Sequence, residues 1–589
     1  MHPWTPDDEP QGRCELKETA AREAWRDREP DSPVDVAVVG GGPAGASAAR
    51  LLAAWGHSVL LLAKPEAGGP TLAESLPPSC GKVFEAVGVR EAIDAAGFLT
   101  AGGNTVCWEG VRPRAATFGS GGRGLQVLRR DFDRVLRAEA RRAGAVVRTG
   151  VTVRAVALPG DRETAGAGGT AMEGPPAGSP AAVAAATTVG AAASDDPAGT
   201  AAFAGRDERG RMVTARARFV LDCSGRAGVV ARRHRTRVQA GETTLALVGV
   251  WRRDDPWPLP DCGPGDAGGA APSDDGQTVV EAYADGWAWS VPVSPHRRYV
   301  TVMVDPRTTH SDRADSLRAR YLAELGKTTH LTRLARGAAL EAAPWACDAS
   351  QYGARRFGGP GFLLVGDAAT FIDPLSSFGV KKAMASAWLA AIVTNTCLRH
   401  PERAALAQRF FAQRERQVWE SYRRQTAAFF AQVSRRELHP FWSDRSEPAG
   451  SDPIGEGATA DAAGGDDVVA ALRVDPAVRA AFEALRQAPS IRLRPTSAVG
   501  TTTVPAVEGR EIVAAPSLSF DAGKLGPVAI RHLRGIDLPA LLAMAERHTQ
   551  VPDLYAAFQQ SRQPVDLGDF LGALSVLLGK GLLRNDVSR

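Results

Sequence analysis

Paired cysteines are the first absence. The seven present (Cys14, Cys80, Cys107, Cys223, Cys262, Cys347 and Cys397) are odd in number, scattered and never spaced CxxC. A zinc ribbon or a disulfide scaffold needs pairs, so no metal is expected, and reduced thiols in a cytoplasmic protein are. Long apolar runs are also missing. The longest, Ala383 to Leu398, is interrupted by Ser386, Thr394, Asn395 and Thr396, and it falls short of a membrane span. Met1 to Pro33 is charged and lacks the apolar segment of a signal peptide, so no stable membrane insertion is expected. Nor is there an excess of one charge: 70 Lys+Arg against 66 Asp+Glu leave +4 over 589 residues, which predicts no nucleic-acid partner. No repeat of solenoid period occurs. What remains is globular composition, 44% hydrophobic and 23% charged, with ample material for a buried core.

Glycine and proline cluster in punctuating stretches. Asp161 to Asp207 is an Ala/Gly/Thr/Pro tract with almost no large apolar residues, and it is expected to be a disordered insertion. Asp254 to Gln277 reads as a Pro/Gly/Asp-rich loop. Residues 441–467 read as a linker, and 1–33 as an N-terminal extension. Between these lie predicted strands at Val34–Gly40, Ser58–Leu62, Val146–Val156, Met212–Leu221, Thr243–Trp251, Val279–Ala284, Trp287–Val293 and Tyr299–Val304. Helices are predicted at Pro43–Trp55, Arg130–Gly144, Val380–Leu398 and Pro401–Arg435. Farther on, Asp466–Gln487 reads as a helix and Arg510–Phe520 as a strand pair. Leu538–Arg547, Val551–Phe558 and Leu567–Leu578 read as amphipathic helices.

The first chemistry-bearing motif is Gly40-Gly41-Gly42-Pro43-Ala44-Gly45, a GxGxxG that follows a predicted strand and opens a helix. Gly40 permits the tight turn, Gly42 lets backbone approach a pyrophosphate, and Gly45 lets the helix pack on the strand. The helix N-terminus offers free N–H groups and a positive dipole end, with Ala44 in its first turn. An acidic residue is expected at the end of the second strand to hold the adenosine ribose. Ala63 stands there instead, followed by Lys64, which would meet the ribose edge or a phosphate if it is not simply solvated.

A second motif lies far downstream. Phe362-Leu363-Leu364-Val365-Gly366-Asp367-Ala368-Ala369 ends a strand in Gly-Asp-Ala, and Asp373-Pro374-Leu375-Ser376-Ser377-Phe378-Gly379-Val380 then opens a long helix. Here the chain resembles the FAD-dependent monooxygenases of the glutathione-reductase-like fold, in the branch that holds the flavin-dependent halogenases and geranylgeranyl-reductase-like enzymes. The resemblance implies that Asp367 hydrogen-bonds the ribityl chain of FAD. It also implies that the loop from Pro374 sets the backbone of Gly379 and Val380 against the flavin pyrimidine edge. Two further landmarks fall in family order: Asp222-Cys223-Ser224-Gly225, which would close over the dinucleotide, and Arg129, which would face the cofactor. Leu72-Ala73-Glu74-Ser75-Leu76-Pro77-Pro78 resembles the mobile strap over the isoalloxazine. Trp287-Ala288-Trp289-Ser290-Val291-Pro292 resembles the halogenase W-x-W-x-I-P signature beside the substrate tunnel. Period-two aromatics on one strand face fit that segment equally well. Trp287, Trp289, Glu74 and Ser75 are the candidates for lining the substrate site, and no catalytic residue beyond the flavin shell is identified.

The resemblance implies an α/β fold class: a Rossmann-like FAD-binding domain interleaved with a mixed-sheet substrate domain over 34–440. A helical, winged-helix-like C-terminal domain is expected over 468–589. One departure bears on chemistry. Halogenases pass hypochlorous acid to a lysine on the strand after the strap, whereas Gly102 to Trp108 holds none and no lysine occurs between Lys82 and Lys327. Arginine stays protonated and does not substitute. Lys381 and Lys382, at the start of the long helix, would add positive charge near reduced flavin, bind an anion, or stand solvated. The expected function is therefore an FAD-dependent monooxygenase that hydroxylates an aromatic substrate, free or carried on a peptide or protein, through a flavin hydroperoxide. NAD(P)H or a partner flavin reductase would supply electrons. The alternatives are a halogenase without the usual lysine, a geranylgeranyl-reductase-like dehydrogenase, and a flavin-binding client-delivery protein.

Overall fold

The structure is a computed structural model that describes residues 33–66, 68–69, 71–108, 113–118, 122–158, 200–233, 237–239, 241–255, 257, 276–307, 316–446, 465–487, 491–496, 500–523, 526–561 and 565–586. The N-terminal extension up to residue 32, most of the expected insertion, most of the 254–277 loop and residues 447–464 of the expected linker lie outside the described residues. The chain divides into two compact units. One comprises residues 8–398 and 418–454, the other residues 1–7, 399–417 and 455–589.

The larger unit is built on two sheets. In the first, five parallel strands run in the order Phe362–Leu364, Met212–Asp222, Val34–Val39, Val59–Ala63 and Val146–Thr149. Val34–Val39 and Val59–Ala63 are almost wholly buried, as continuous Val/Leu runs in a sheet covered on both faces should be. The register sets Val39 opposite both Leu62 and Asp222, and Asp222 opposite Leu364. Gly40, Ala63, Cys223 and Gly366 therefore all follow at the carboxyl edge, where open parallel sheets bind ligands. The second sheet is mostly antiparallel, in the order Ala339–Leu340, Leu245–Arg252, Arg297–Val304, Gly286–Ser294, Thr278–Tyr283, Gly103–Cys107 and Arg114–Thr117. The expected interleaving is present.

Four expectations change. The supposed insertion 161–207 ends in ordered structure: Ala201–Arg206 is a strand paired on one side with Thr152–Ala157 and on the other with Met212–Ala217. Its small residues let it lie buried between two neighbours, Ala202 and Phe203 being 3% and 2% exposed. The supposed loop 254–277 ends on the buried Gln277, and Trp257 within it is buried too. The single strand expected at Val146–Val156 is two, broken at Gly150, whose φ is +82°. The linker at 441–467 begins as a helix, Pro440–Ser446, that buries Phe441 and Trp442 completely.

The smaller unit has its own core, including Leu538, Leu541, Leu554, Phe570 and Leu574. Helices Leu538–Ala545, Val551–Ser561 and Leu567–Gly579 pack beside a three-stranded antiparallel sheet, Gly500–Glu508, Glu511–Asp521 and Pro527–Ile530. Arg510 thus lies in the turn of a hairpin, and Glu511–Asp521 is one strand where the sequence reading expected two. The helix expected at Asp466–Gln487 is two, Gly465–Val474 and Pro476–Gln487. Proline at 476 cannot continue the helix before it, and Asp475 Oδ1 caps the next one through the amides of Ala477 and Val478.

Candidate functional site

The Gly-rich turn has the geometry its motif implies. Gly40 has φ +110°, and a Cβ there would stand 2.2 Å from the Cys223 carbonyl oxygen. At Gly45 a Cβ would stand 1.8 Å from the Gly40 carbonyl oxygen. Both positions need glycine to bring strand, turn and helix Pro43–Ala54 together. Gly42 differs. Its nearest neighbours to a Cβ would be Arg129 Nη2 at 3.5 Å and Asp133 Oδ2 at 3.7 Å, so only the ends of two side chains lie near it at this helix N-terminus.

The second helix N-terminus arrives at the same place. Gly366 (φ +63°) is wedged between Ala44 and Ala383, whose Cβ atoms would lie 3.2 and 3.3 Å from a Cβ on it. Asp373 Oδ1 accepts from Leu375 N at 3.0 Å and fixes the tight turn Pro374–Ser376. Burial pushes the Asp373 carboxyl up to about 6. Ser377 then adopts φ +53°, and helix Gly379–Arg399 begins with nothing within 4 Å of a Cβ on Gly379. Val380 is buried, so it offers its backbone and not its side chain.

Charged side chains line the cleft between these termini. Arg129 donates to Asp133 at 3.1 and 3.2 Å and to Glu74 at 3.4 Å. Burial raises the Glu74 carboxyl above its ordinary range, with Arg129 opposing and the charges of Asp367 and Asp133 adding to the rise. Asp367 thus acts electrostatically on the strap glutamate, and Lys382 Nζ lies 3.2 Å from its Oδ1. The strap is a strand, Ala73–Leu76, paired with Gly124–Leu128. Thr278 Oγ1 donates to Ser75 Oγ at 2.9 Å.

Several expected contacts fall elsewhere. Asp222 is fully buried. Its oxygens accept from Ser224 N and Oγ, Val230 N and Ala231 N. It is a turn and helix cap and has no surface for a cofactor; it shapes the turn that holds Gly225 at φ +64°. Trp287 is likewise 0% exposed. It packs in an aromatic cluster with Trp108, Trp289, Phe430, Phe441 and Trp442, so it is core and lines no open tunnel. Trp289, 5.1 Å away ring to ring, keeps some exposed surface. Ala63 is buried against Gly41, and Lys64 is exposed beyond it.

The sequence reading missed Arg137, which donates to the Gly41 carbonyl at 3.1 Å and pairs with Glu66. Asp133, in the same motif as Arg129 but given no role, is the partner of that arginine, as the i,i+4 spacing allows. Lys382, read with Lys381 as adding positive charge near reduced flavin, binding an anion or standing solvated, is 4% exposed. Residues 380, 383, 384, 386 and 387 around it are buried too, and the exposed side of this turn falls at Ala385.

These residues fit FAD. Two helix N-termini and the backbone at Gly42 and Gly379 suit its phosphates and pyrimidine edge, and Asp367 suits a hydroxyl-bearing chain. Of the expected contacts, Ala63 stands where the ribose carboxylate would be and Asp222 is buried. Comparisons with known proteins agree. The FAD binding domain family matches residues 33–174 and the tryptophan halogenase family residues 200–466. A tryptophan 2-halogenase of Chondromyces crocatus is 28% identical over 426 residues, 70% of each chain. The fold matches that of the flavin-dependent halogenase CmlS at a TM-score of 0.65, with 22% identity over 94% of this chain and 96% of that one. It matches that of the peptidyl tryptophan dihydroxylase QhpG at 0.58, with 22% identity over 94% and 100%. No helix among the described residues is long and apolar enough to cross a membrane. Together these matches support a flavin-dependent halogenase-like superfamily of FAD proteins for this chain.

Proposed function

We propose that this FAD-dependent oxidoreductase hydroxylates an aromatic substrate, either free or carried on a peptide. The observation that carries the reading is the missing amine. Strand Gly103–Cys107 pairs with Thr278–Glu281 in the second sheet, and neither it nor any residue from 83 to 326 is a lysine. Reduced FAD, with its pyrophosphate at the N-terminus of Pro43–Ala54 and its pyrimidine edge at that of Gly379–Arg399, would supply the activation of O₂. Gly42, Gly379 and Val380 would hold it through backbone, and Asp367 and Arg129 through side chains. Glu74, whose carboxyl is raised by burial, is the acid in the cleft best suited to keep a proton. Trp289 keeps the exposed aromatic surface against which a substrate ring would stack.

Halogenation is the second reading, favoured by the tryptophan halogenase match over 200–466. Turnover with a supplied flavin reductase, O₂ and either free tryptophan or a tryptophan-containing peptide separates the two. The expected product gains about 16 Da, in a yield indifferent to chloride and bromide, since one oxygen atom is inserted. A product about 34 Da heavier that appears only with chloride establishes halogenation instead. A wild-type protein that takes up no FAD overturns both readings.

A further inference from the structure

Lys382 stands in the first turn of helix Gly379–Arg399 with its side chain 2% exposed. Residues 380, 383, 384, 386 and 387 of the same helix are buried as well. A charge in such a place costs several kcal/mol unless it is paired and hydrogen-bonded, and leucine or methionine would fill the volume without that cost. The lysine is fully engaged. Its ammonium donates to the Thr370 carbonyl, to Thr370 Oγ1 at 3.1 Å, and faces Asp367 Oδ1 at 3.2 Å.

Asp367 has the opposite exposure. Its side chain is 32% exposed and turns to the cleft, where its charge is felt by both Glu74 and Arg129. The Tyr352 hydroxyl donates to its backbone carbonyl, so the backbone is held independently of the carboxylate. The lysine therefore backs the carboxylate from the interior while the carboxylate alone meets the cleft. Lys381, one residue earlier, is a natural contrast. Its Nζ donates to Ser79 Oγ at 3.0 Å and lies 4.9 Å from the Phe378 ring centre, on the side of the strap and away from Asp367.

We propose that Lys382 is a positioning residue for the cofactor: it holds the Asp367 carboxylate in one orientation toward the flavin side chain, and its buried charge favours reduced over oxidised FAD. The inference rests on the FAD reading above. It follows from two effects with the same sign. Without the lysine, the Asp367 carboxylate would lose the ammonium held 3.2 Å from its Oδ1 and would turn from the flavin side chain. The helix N-terminus, which already carries about half a positive charge, would also lose the full charge buried in its first turn.

The test compares oxidised and anaerobically reduced FAD, each titrated into the apo forms of the full chain, with the midpoint potential of each holoprotein measured by spectroelectrochemistry. Lys382→Met is expected to bind oxidised FAD about tenfold more weakly and reduced FAD about a hundredfold more weakly. The tenfold difference is about 30 mV more negative for a two-electron couple. Asp367→Asn is expected to lose a similar amount for oxidised FAD, and the double variant to bind oxidised FAD no more weakly than Asp367→Asn alone. Lys382→Arg, which keeps the charge, is expected to recover most of the potential. If apo Lys382→Met does not fold, the double variant, which leaves no buried unpaired charge, carries the comparison with Asp367→Asn.

An unchanged ratio of reduced to oxidised affinity in Lys382→Met overturns the proposal. So do additive losses of oxidised-FAD affinity in the double variant, or an equal potential shift from Lys381→Met. Those results leave the FAD reading standing, whereas a wild type that binds no FAD overturns both.

Discussion

Three glycines of one motif do different jobs, and a single added methyl separates them. At Gly45 the methyl carbon would sit 1.8 Å from the Gly40 carbonyl oxygen, so the helix must move off the strand. Gly45→Ala is expected to destabilise the apo protein by about 1–3 kcal/mol, the range for overpacking a tight site. At Gly42 the backbone has φ −80° and no neighbour nearer than 3.5 Å. Gly42→Ala is therefore expected to leave apo stability within about 1 kcal/mol, the usual N-cap difference. It should still weaken FAD binding at least tenfold, because the methyl occupies the space a pyrophosphate needs. Thermal melts of the apo forms and FAD titrations check both, and equal behaviour of the two variants would contradict the assignment. Residue roles were legible in sequence where the backbone itself is the functional group, as at Gly40, Gly42 and Gly45. They were less legible where a side chain could turn either way. Asp222 looked like a cofactor contact but spends its oxygens on the amides of Val230 and Ala231. Trp287 and Trp289 share a strand face, and period two could not say that only the second reaches the surface. For Lys382 the sequence left three roles open, because two adjacent lysines at a helix start can be solvated until the helix is seen to be buried nearly all round.

Strand Ala201–Arg206 shows why composition misjudges an element. Alanine and glycine read as low complexity, yet small residues are what a strand needs when neighbours crowd it. A Cβ on Gly205 would lie 2.7 Å from the Thr152 carbonyl oxygen. Deleting residues 200–207 would leave Thr152–Ala157 without its partner and uncover the edge of Met212–Ala217. Exposed strand edges template aggregation, so loss of soluble protein is the expected result in a solubility assay. Helix Pro440–Ser446 illustrates the same failing, since serine, aspartate and proline around it read as a linker. Its anchors are Phe441, Trp442 and Arg445, and Arg445 Nη2 donates to buried Asp305 at 3.0 Å. Burial works against ionisation of Asp305, but hydrogen bonds from Arg307 and Arg445 outweigh it and hold the carboxyl at about 2. A carboxyl depressed in the folded state contributes stability above its unfolded pKa, near 4, and loses it as pH falls toward 2. Asp305→Ala is expected to cost about 3 kcal/mol at pH 7, because it strands a buried guanidinium. The gap from wild type should then narrow between pH 4 and pH 2. Denaturant melts across that range check the sign, and a gap that widens in acid contradicts it.

At the scale of the whole chain, the two compact units differ in what they can bind. The Gly-rich turn, the Gly366-Asp367 loop, the strap and Lys382 all fall within residues 8–398 of the larger unit. The smaller unit has a separate apolar core centred on Leu538, Leu541, Phe570 and Leu574, and none of the expected cofactor contacts. That division was half visible in the sequence. The order of the motifs announced an interleaved nucleotide-binding fold, because each motif must end a parallel strand. The C-terminal region gave only amphipathic periods, which fix helices but not the sheet they pack on. A ligand stabilises only the cooperative unit that binds it, by about 2.7 kcal/mol at a hundred times its dissociation constant. Calorimetry of the apo chain is therefore expected to show two unfolding transitions, and saturating FAD should raise one of them while leaving the other within experimental error. Gly42→Ala should abolish that selective shift without moving the second transition, because the smaller core contains none of the altered contacts. A single transition that moves as a whole with FAD would mean that the two cores unfold as one, and that the cofactor's binding energy reaches the C-terminal unit as well.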